Sequence, residues 1–169
     1  VYTLVLKGHI QLELLKFPRG ASGTQLDALA RKDLWRYGLN YLHGTGHGVG
    51  SYLNVHEGPH QIRMEYKPAP IIEGMTVTDE PGVYLPSLFG VRIENTLLTL
   101  PYKETQFGRF LQFEPLTLCP IDTAPIIREM LTAEETDWLN AYHKTVYDSL
   151  SPYLDGEDRA WLAEACAPI

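Results

Sequence analysis

The segment from Leu42 to Gly50 constrains this chain more than any other part of its sequence. It contains His43, His47 and four glycines, and a third histidine, His56, follows nine residues after His47. Glycine allows a backbone to approach another group closely and to adopt positive φ, while a neutral imidazole binds metals and transfers protons. The pattern therefore predicts a loop that carries an active site.

Composition places the chain among ordinary globular proteins. Its 169 residues are 44% hydrophobic and 21% charged, which suits one domain with a sizeable core. The net charge of -7 without a Lys/Arg cluster argues against a nucleic-acid partner. No apolar run approaches the ~20 residues that span a bilayer, so we expect no membrane partner. Cys119 and Cys166 are isolated, which favours a reducing, cytoplasmic compartment. The chain opens at Val1 inside a periodic segment, so we expect a fragment of a longer protein.

Two helices are predicted before the glycine-histidine segment. The first fits residues 1–15 imperfectly and ends at Phe17–Gly20. The second is capped by Thr24, carries Asp27 in its first turn, where a negative charge suits the helix dipole, and ends before Gly38. Its predicted buried face consists of Leu26, Leu29, Ala30, Leu34 and Tyr37.

Strands and further helices are predicted after that segment. Apolar patterns between turn residues predict strands at 75–79, 90–100 and 110–118. A capping box at Thr132 and Glu135 opens a helix, and a short helix at about 160–165 closes the chain. The apolar stripe of the longer helix consists of Trp138, Leu139, Tyr142, Val146 and Leu150. Antiparallel strands with covering helices indicate the α+β class.

Strand geometry predicts a metal site near the histidines. Because side chains alternate faces along a strand, Thr78 shares a face with Glu80, and Arg92 shares a face with Glu94. If both faces turn toward the histidine segment, His47, Glu80 and Glu94 converge. A carboxylate among apolar neighbours is costly to bury unless it is paired or coordinated, and Arg92 could supply bidentate hydrogen bonds to one of them.

The remaining polar residues have more ordinary interpretations. His9, His60 and His143 are expected to be structural or exposed, because few residues take part in chemistry. Asp79 and Glu57 are interpreted as local hydrogen-bonding or surface residues.

Four motifs together resemble a known family. Gly44–Gly50, His56–Pro59, Thr78–Gly82 and Arg92–Asn95 resemble the C-terminal catalytic half of the pita-bread metallopeptidases. The forms Tyr41–His47 and Tyr52–Pro59, with Phe113–Thr117 and the tail Trp138–His143, are similar to the long-form Xaa-Pro aminopeptidases (aminopeptidase P). The resemblance implies that residues 1–131 are the C-terminal part of a pita-bread catalytic domain and that 132–169 are a helical extension.

The resemblance also implies a set of site residues. His47, Glu80 and Glu94 match three metal ligands, and Glu80 also matches the proton-handling base. His43 and His56 match histidines of the substrate site, while Arg92 and Tyr84 match residues that hold the ligands in place. Two further aspartate ligands are expected upstream of this chain. The implied cofactors are two divalent cations, foremost manganese, with zinc, cobalt or iron as alternatives.

The implied activity is hydrolysis of the bond between an N-terminal residue and a following proline, so the expected partners are peptides with proline at the second position. The isolated chain, which lacks two carboxylates, is expected to be nearly inactive. Two alternatives stay open: a prolidase that accepts only dipeptides, and a non-catalytic pita-bread relative that acts as a binding module. Trp138, Tyr142, Trp161 and Leu162 lie in the extension, and aromatic residues are enriched at interfaces. With the resemblance, they favour a homodimer formed through residues 132–169.

Overall fold

Four α-helices cover residues near the two ends of the chain in the computed structural model, which describes residues 1–52 and 54–169. They are α1 (Tyr2–Glu13), α2 (Gly23–Trp35), α3 (Ala133–Leu150) and α4 (Gly156–Ala165). Short 3-10 turns lie at Arg128–Met130 and Ser151–Tyr153. The predicted capping box of α3 is confirmed, because the Thr132 side chain accepts a hydrogen bond from the Glu135 backbone N–H. Every described helix is too short or too polar to cross a membrane.

Helix α2 differs from the prediction in its cap, in the role of Asp27 and in the burial of Tyr37. The capping box is formed by Ser22 and Gln25, so the assignment of Thr24 as cap is wrong. The Thr24 hydroxyl instead bonds the backbone of the segment at 65–67. Asp27 does not lie in the first turn, because α2 begins at Gly23, and its buried carboxylate pairs with Arg31 one turn later. Tyr37 lies beyond the last turn and is 65% exposed.

The predicted end of α2 is confirmed. Gly38 adopts φ +69°, and the N–H groups of Gly38 and Leu39 bond the carbonyl oxygens of Trp35 and Leu34. This pair of bonds is a Schellman motif, which needs a residue in the left-handed region and so favours glycine.

The described strands form one antiparallel sheet of six strands and a separate hairpin. The sheet order is β1-β8-β7-β4-β2-β3, and the hairpin pairs β5 with β6. The bounds are β1 Lys16–Pro18, β2 Gly46–Gly48, β3 Glu57–Ile62, β4 Thr76–Asp79, β5 Gly82–Leu85, β6 Phe89–Arg92, β7 Asn95–Thr105 and β8 Gly108–Pro115. The predicted α+β class with an antiparallel sheet is confirmed.

Three features of the sheet differ from the prediction. The strand predicted at 90–100 is two strands, because the chain leaves the hairpin at Ile93, whose N–H bonds the Pro81 carbonyl, and enters the main sheet at Asn95. The glycine-histidine segment is not a loop throughout, since Gly46–Gly48 form β2. Strands β1, β3 and β5 were not predicted; β1 has only three residues and ends in proline.

The hydrophobic core consists of two clusters. One lies between the sheet, α1 and α2, and includes Leu12, Phe17, Leu26, Ala30, Ile62, Val77, Leu97 and Leu111. The other joins α1 to α3 and α4, and includes Leu4, Leu6, Ile10, Leu139, Tyr142, Val146 and Leu162. Helix α1 thus packs on one side against the sheet and on the other against the C-terminal helices. The predicted apolar stripe of α3 is confirmed, with Trp138 and Leu150 partly buried.

Candidate active site

A cavity of about 250 Å³ lies at the end of the sheet where β2, β3 and β4 meet the β5–β6 hairpin. Its lining consists of His43, Gly44, Gly46, His47, His56, Gln61, Arg63, Glu80 and Arg92. Four of these, His43, His47, His56 and Glu80, are residues that the sequence nominated for metal binding or catalysis, and Arg92 was nominated as a residue that holds a ligand in place. Gln61 and Arg63 were not nominated. Gln61 reaches the cavity because it is the direct strand partner of His47.

His47 and Glu80 face each other across this cavity. The His47 Nδ1–H donates to the Gly48 carbonyl oxygen at 3.0 Å, since a carbonyl can only accept. The opposite ring nitrogen, Nε2, lies 3.0 Å from Glu80 Oε1. In the neutral ring that nitrogen carries a lone pair, so two electron-rich atoms are in contact unless a cation or a proton lies with them. A carboxylate and an imidazole held in this way fit a divalent metal ion.

Glu80 is positioned from three sides. Its Oε1 accepts a hydrogen bond from Thr78 Oγ1 at 2.9 Å, which agrees with the shared strand face. Its backbone N–H donates to the Thr45 carbonyl at 2.7 Å. Arg92 Nη1 lies 3.6 Å from Glu80 Oε2, a single ion pair and not the bidentate hydrogen bonding that the sequence suggested. The guanidinium is turned because its Nε donates to Tyr84 instead.

His43, Tyr84 and Arg92 form a hydrogen-bonded row on the hairpin side of the cavity. Arg92 Nε donates to the Tyr84 hydroxyl at 2.8 Å, and that hydroxyl lies 3.0 Å from His43 Nε2. The His43 Nδ1–H donates to the Gly44 carbonyl at 2.7 Å, so Nε2 is the acceptor for the tyrosine hydroxyl. Tyr84 therefore links the arginine beside Glu80 to the first histidine of the motif.

His56 lies at the open side of the cavity, with its ring centroid 4.2 Å from that of His47. It is exposed and immediately precedes β3, the edge strand of the sheet. An imidazole in this position can meet a ligand that approaches His47 from solvent.

Glu94 does not line the cavity with His47 and Glu80. Its side chain is exposed, and it forms none of the ion pairs found among residues 1–52 and 54–169. Strand register nevertheless places it beside Glu80: Asp79 pairs with Asn95, so the residue after Asp79 and the residue before Asn95 leave the sheet at the same end. The convergence of Glu94 with the other two ligands stays a prediction.

Gly46 and Gly48 are required by close strand packing, as the sequence suggested, but not by positive φ. A Cβ on Gly46 would lie 1.8 Å from the Thr78 carbonyl oxygen, and one on Gly48 would lie 2.1 Å from the Glu57 carbonyl oxygen. Neither residue is among the glycines with positive φ. Strand β2 can therefore lie between β3 and β4 only with glycine at these positions.

A buried scaffold on α2 holds the start of the motif, and the sequence analysis missed it. The Asp27 carboxylate pairs with Arg31 and accepts a hydrogen bond from the Thr45 hydroxyl. Arg31 is 1% exposed, donates to the carbonyl oxygens of Tyr41 and His43 at 2.6 and 2.9 Å, and lies 3.8 Å from the centre of the Tyr41 ring. The i,i+4 spacing of opposite charges on the apolar face of α2 was the available signal.

A second buried cluster lies behind the site. The His9 ring, fully buried, lies between two carboxylates: Nε2 is 3.0 Å from Glu13 Oε1, and Nδ1 is 3.2 Å from Asp79 Oδ2. Burial acts to lower the pKa of His9, but the Asp79 and Glu13 carboxylates outweigh it and raise that pKa to about 9. The interpretation of Asp79 as a surface or merely local residue is wrong, since it is 0% exposed and paired with α1.

Comparison with known sequences identifies the family. A sequence model of metallopeptidase family M24 matches residues 1–100, and one of the C-terminal region of peptidase M24 matches residues 109–169. Aminopeptidase P1 of Arabidopsis thaliana is 48% identical over 174 residues, which cover 99% of this chain and 27% of that protein. The probable Xaa-Pro aminopeptidase P of Laccaria bicolor is 45% identical, with the same coverage of 99% and 27%. The chain thus spans little more than a quarter of the length of these curated relatives.

Solved structures give the same result. The X-prolyl aminopeptidase of Caenorhabditis elegans, described as a cytosolic enzyme with a di-nuclear active site, matches with a TM-score of 0.90 and 44% identity over 99% of this chain and 28% of that one. The prolidase of Pyrococcus furiosus matches with a TM-score of 0.57 and 34% identity over 69% of this chain and 31% of that one. The predicted half of a pita-bread fold is confirmed by these neighbours. Because the family model matches more than half of the chain and the relatives match it almost from end to end, this chain belongs to metallopeptidase family M24.

Proposed function

We propose that the protein containing this chain is a metal-dependent aminopeptidase that hydrolyses the bond between an N-terminal residue and a following proline. The observation that carries the proposal is the 3.0 Å contact between Glu80 Oε1 and His47 Nε2, the ring nitrogen that does not bond the Gly48 carbonyl, in a cavity lined by two further histidines. The similarity to aminopeptidases P along 99% of the chain supports the choice of substrate.

His47, Glu80 and Glu94 would hold the metal, together with two aspartates expected from an upstream part of the protein. The donor set of carboxylate oxygens and one imidazole suits two divalent cations, with manganese favoured over zinc, cobalt or iron. When bound, such cations polarise the scissile carbonyl and lower the pKa of a water molecule.

The chain's own residues would handle the proton and the substrate. The Glu80 carboxylate is open enough to the cavity to accept a proton from water, while Thr78 and Arg92 keep it in place. His56, at the open side, would donate to the substrate carbonyl, and His43, fixed by Tyr84, would line the substrate site. An imino-acid bond has no N–H by which a peptidase could orient it, so groups that hold the carbonyl have particular value.

Glu80→Gln in the complete protein tests the proposal. We expect the variant to keep its fold but to lose turnover of an Xaa-Pro tripeptide by about 10²-fold or more, because it removes a ligand charge and a proton acceptor. The measurement is the steady-state rate with added Mn²⁺, with circular dichroism as the check on folding. Glu104→Gln is the matched control, since Glu104 is exposed and pairs with Arg109 away from the cavity. Unchanged turnover in Glu80→Gln would refute the assignment.

Substrate length separates the aminopeptidase from a prolidase. An aminopeptidase should hydrolyse an Xaa-Pro tripeptide, whereas a prolidase should act on the Xaa-Pro dipeptide alone. The non-catalytic alternative predicts no hydrolysis of either peptide, and it is disfavoured because His47, Glu80 and Glu94 are all present.

We also propose a cytoplasmic location and a homodimer formed through residues 132–169. The location follows from the isolated cysteines and from the cytosolic description of the C. elegans neighbour. Of the four residues that favoured the dimer, Tyr142 and Leu162 are buried within the chain and Trp138 is partly buried, so that part of the expectation is wrong. The dimer proposal rests on Trp161, which is 62% exposed, and on Tyr153, which is 86% exposed.

A further inference from the structure

A chain of buried polar side chains connects the back of the candidate site to the C-terminal helices. It begins at Asp79, passes through the His9 ring to Glu13, continues from Glu13 Oε1 to Asn95 Nδ2 at 2.8 Å, and ends at Tyr142. These five side chains are between 0% and 4% exposed. We call them the buried network. Burial of this many polar groups is costly unless they hold one another, so their geometry is tightly constrained.

The buried network includes the strand residues that are adjacent in sequence to the two site glutamates. Asp79 is the last residue of β4 and directly precedes Glu80, and Asn95 is the first residue of β7 and directly follows Glu94. The two are strand partners. Helix α1 reaches both of them, because His9 contacts Asp79 and Glu13 contacts Asn95. Helix α1 therefore contacts the neighbours of both Glu80 and Glu94.

Tyr142 connects the buried network to α3. Its hydroxyl lies 3.2 Å from Asn95 Oδ1, and 3.0 and 2.9 Å from the carbonyl oxygens of Thr117 and Cys119, which follow β8. The single phenol oxygen thus joins α3, the start of β7 and the segment after β8. Its ring stacks on Trp138, which in turn meets the edge of the His9 ring.

The arrangement does not suit a second metal site. The imidazole itself lies between the two carboxyl groups, so it fills the position that an ion would take. Because the pKa of His9 is raised to about 9, the ring carries a positive charge at neutral pH and faces the Glu13 and Asp79 carboxyl groups. The buried network therefore offers no open coordination position.

We propose that the buried network positions Glu80 and Glu94 for metal binding, with His9 and Tyr142 as positioning residues that touch neither substrate nor metal. The inference rests on the proposed function, since it assigns the two glutamates as ligands. It predicts that metal affinity depends on a tyrosine hydroxyl of the C-terminal segment.

The test uses the complete protein, with Mn²⁺ alone as the probe. Tyr142→Phe removes one hydroxyl, and Tyr2→Phe is the matched control, because the Tyr2 hydroxyl donates to the Asp122 carbonyl and lies outside the buried network. We expect Tyr142→Phe to bind Mn²⁺ about tenfold more weakly by calorimetry and to lower kcat by a similar factor with KM unchanged. Tyr2→Phe should keep the Mn²⁺ affinity and kcat of the unaltered protein. Equal Mn²⁺ affinities and equal kcat values for the two variants would overturn the proposal.

His9→Gln provides the second variant, with His143→Gln as its control. His143 is also buried, but its ring accepts a hydrogen bond from the Ile121 N–H and does not contact the carboxylates. We expect His9→Gln, and not His143→Gln, to weaken Mn²⁺ binding and to change the visible spectrum of the Co²⁺-loaded protein. If His9→Gln fails to fold, Tyr142→Phe still decides. Absence of Xaa-Pro hydrolysis by the unaltered protein would refute only the proposed function, because the Mn²⁺ affinities are compared without substrate.

Discussion

At the scale of single residues, the side chains that hold the site outnumber those that form it. His47 and Glu80 were recognisable from motif and spacing, whereas the roles of Asp27, Arg31 and His9 were not, because an i,i+4 spacing on a helix can indicate a pair but not which distant segment the pair contacts. Besides partners on their own helix, they contact groups on other elements: Arg31 donates to the carbonyl oxygens of Tyr41 and His43, and His9 Nδ1 lies 3.2 Å from Asp79 Oδ2. A pattern within one element cannot show a partner on another.

The free energy of unfolding should depend on pH through the titration of His9. Its pKa in the folded protein is raised from 6.5 to about 9, so its contribution to stability is fully present below the unfolded value and is lost as the pH rises through about 9. We therefore expect the free energy of unfolding, measured with urea, to fall between pH 6.5 and pH 9.5 in the unaltered chain. His9→Asn should flatten this part of the curve.

His143→Asn is the control for that measurement. Burial lowers the pKa of His143, so its titration affects stability below its ordinary value of 6.5 and not in the alkaline window. The control should keep the slope between pH 6.5 and pH 9.5. If His9→Asn keeps the slope, titration of other groups causes it and the assignment to His9 is wrong.

At the scale of elements, the decisive feature is the narrow strand β2 between β3 and β4. Because β2 pairs with a strand on each side, the His47 backbone N–H donates a hydrogen bond to Thr78 Oγ1 at 3.0 Å, and the His47 ring lies over the cavity. The break between β6 and β7 has a similar effect, because it lets Arg92 remain on the hairpin while Asn95 joins β4.

Gly46→Ala should disrupt this arrangement. The added Cβ would lie 1.8 Å from a backbone oxygen of β4, so the strands must separate, and we expect a loss of about 3 kcal/mol or more in the free energy of unfolding. Urea denaturation measures it. Gly58→Ala is the control, since its Cβ would meet nothing within 4 Å. Similar stabilities of the two variants would contradict the packing argument.

At the scale of the whole molecule, α1 contributes residues to both hydrophobic clusters and lies between them. Leu139, Val146 and Leu162 of the C-terminal helices belong to the same buried cluster as Leu4, Leu6 and Ile10 of α1, so residues 132–169 are part of the packed structure. This also explains why Tyr142 can contribute to the buried network. Trp161 remains on the outer side of α4.

Trp161→Glu in the complete protein tests the proposed dimer. A charge in an aromatic contact should separate the subunits, so we expect a protein of dimeric mass to become monomeric at micromolar concentration in analytical ultracentrifugation. Phe107→Glu is the control, because Phe107 is 79% exposed at the β7–β8 turn, away from the extension. A dimer that persists in Trp161→Glu would place the contact elsewhere.

Local chemistry made much of this protein predictable from its sequence. The capping box at Thr132, the glycine that ends α2, the strands β4 and β8 and the polar face shared by Thr78 and Glu80 depend on neighbours within a few residues. The family motifs are of the same kind, since each is a short run whose residues meet one local requirement.

Tertiary structure decided what depends on distant partners. Only the fold brings β2 between β3 and β4, which makes glycine necessary at Gly46, and only the fold places His9 between Glu13 and Asp79. It also divides the predicted strand at 90–100 between two sheets. The physical reason is the same in each case: backbone hydrogen bonds and buried charges must be satisfied in three dimensions, and the sequence does not state which distant group will satisfy them.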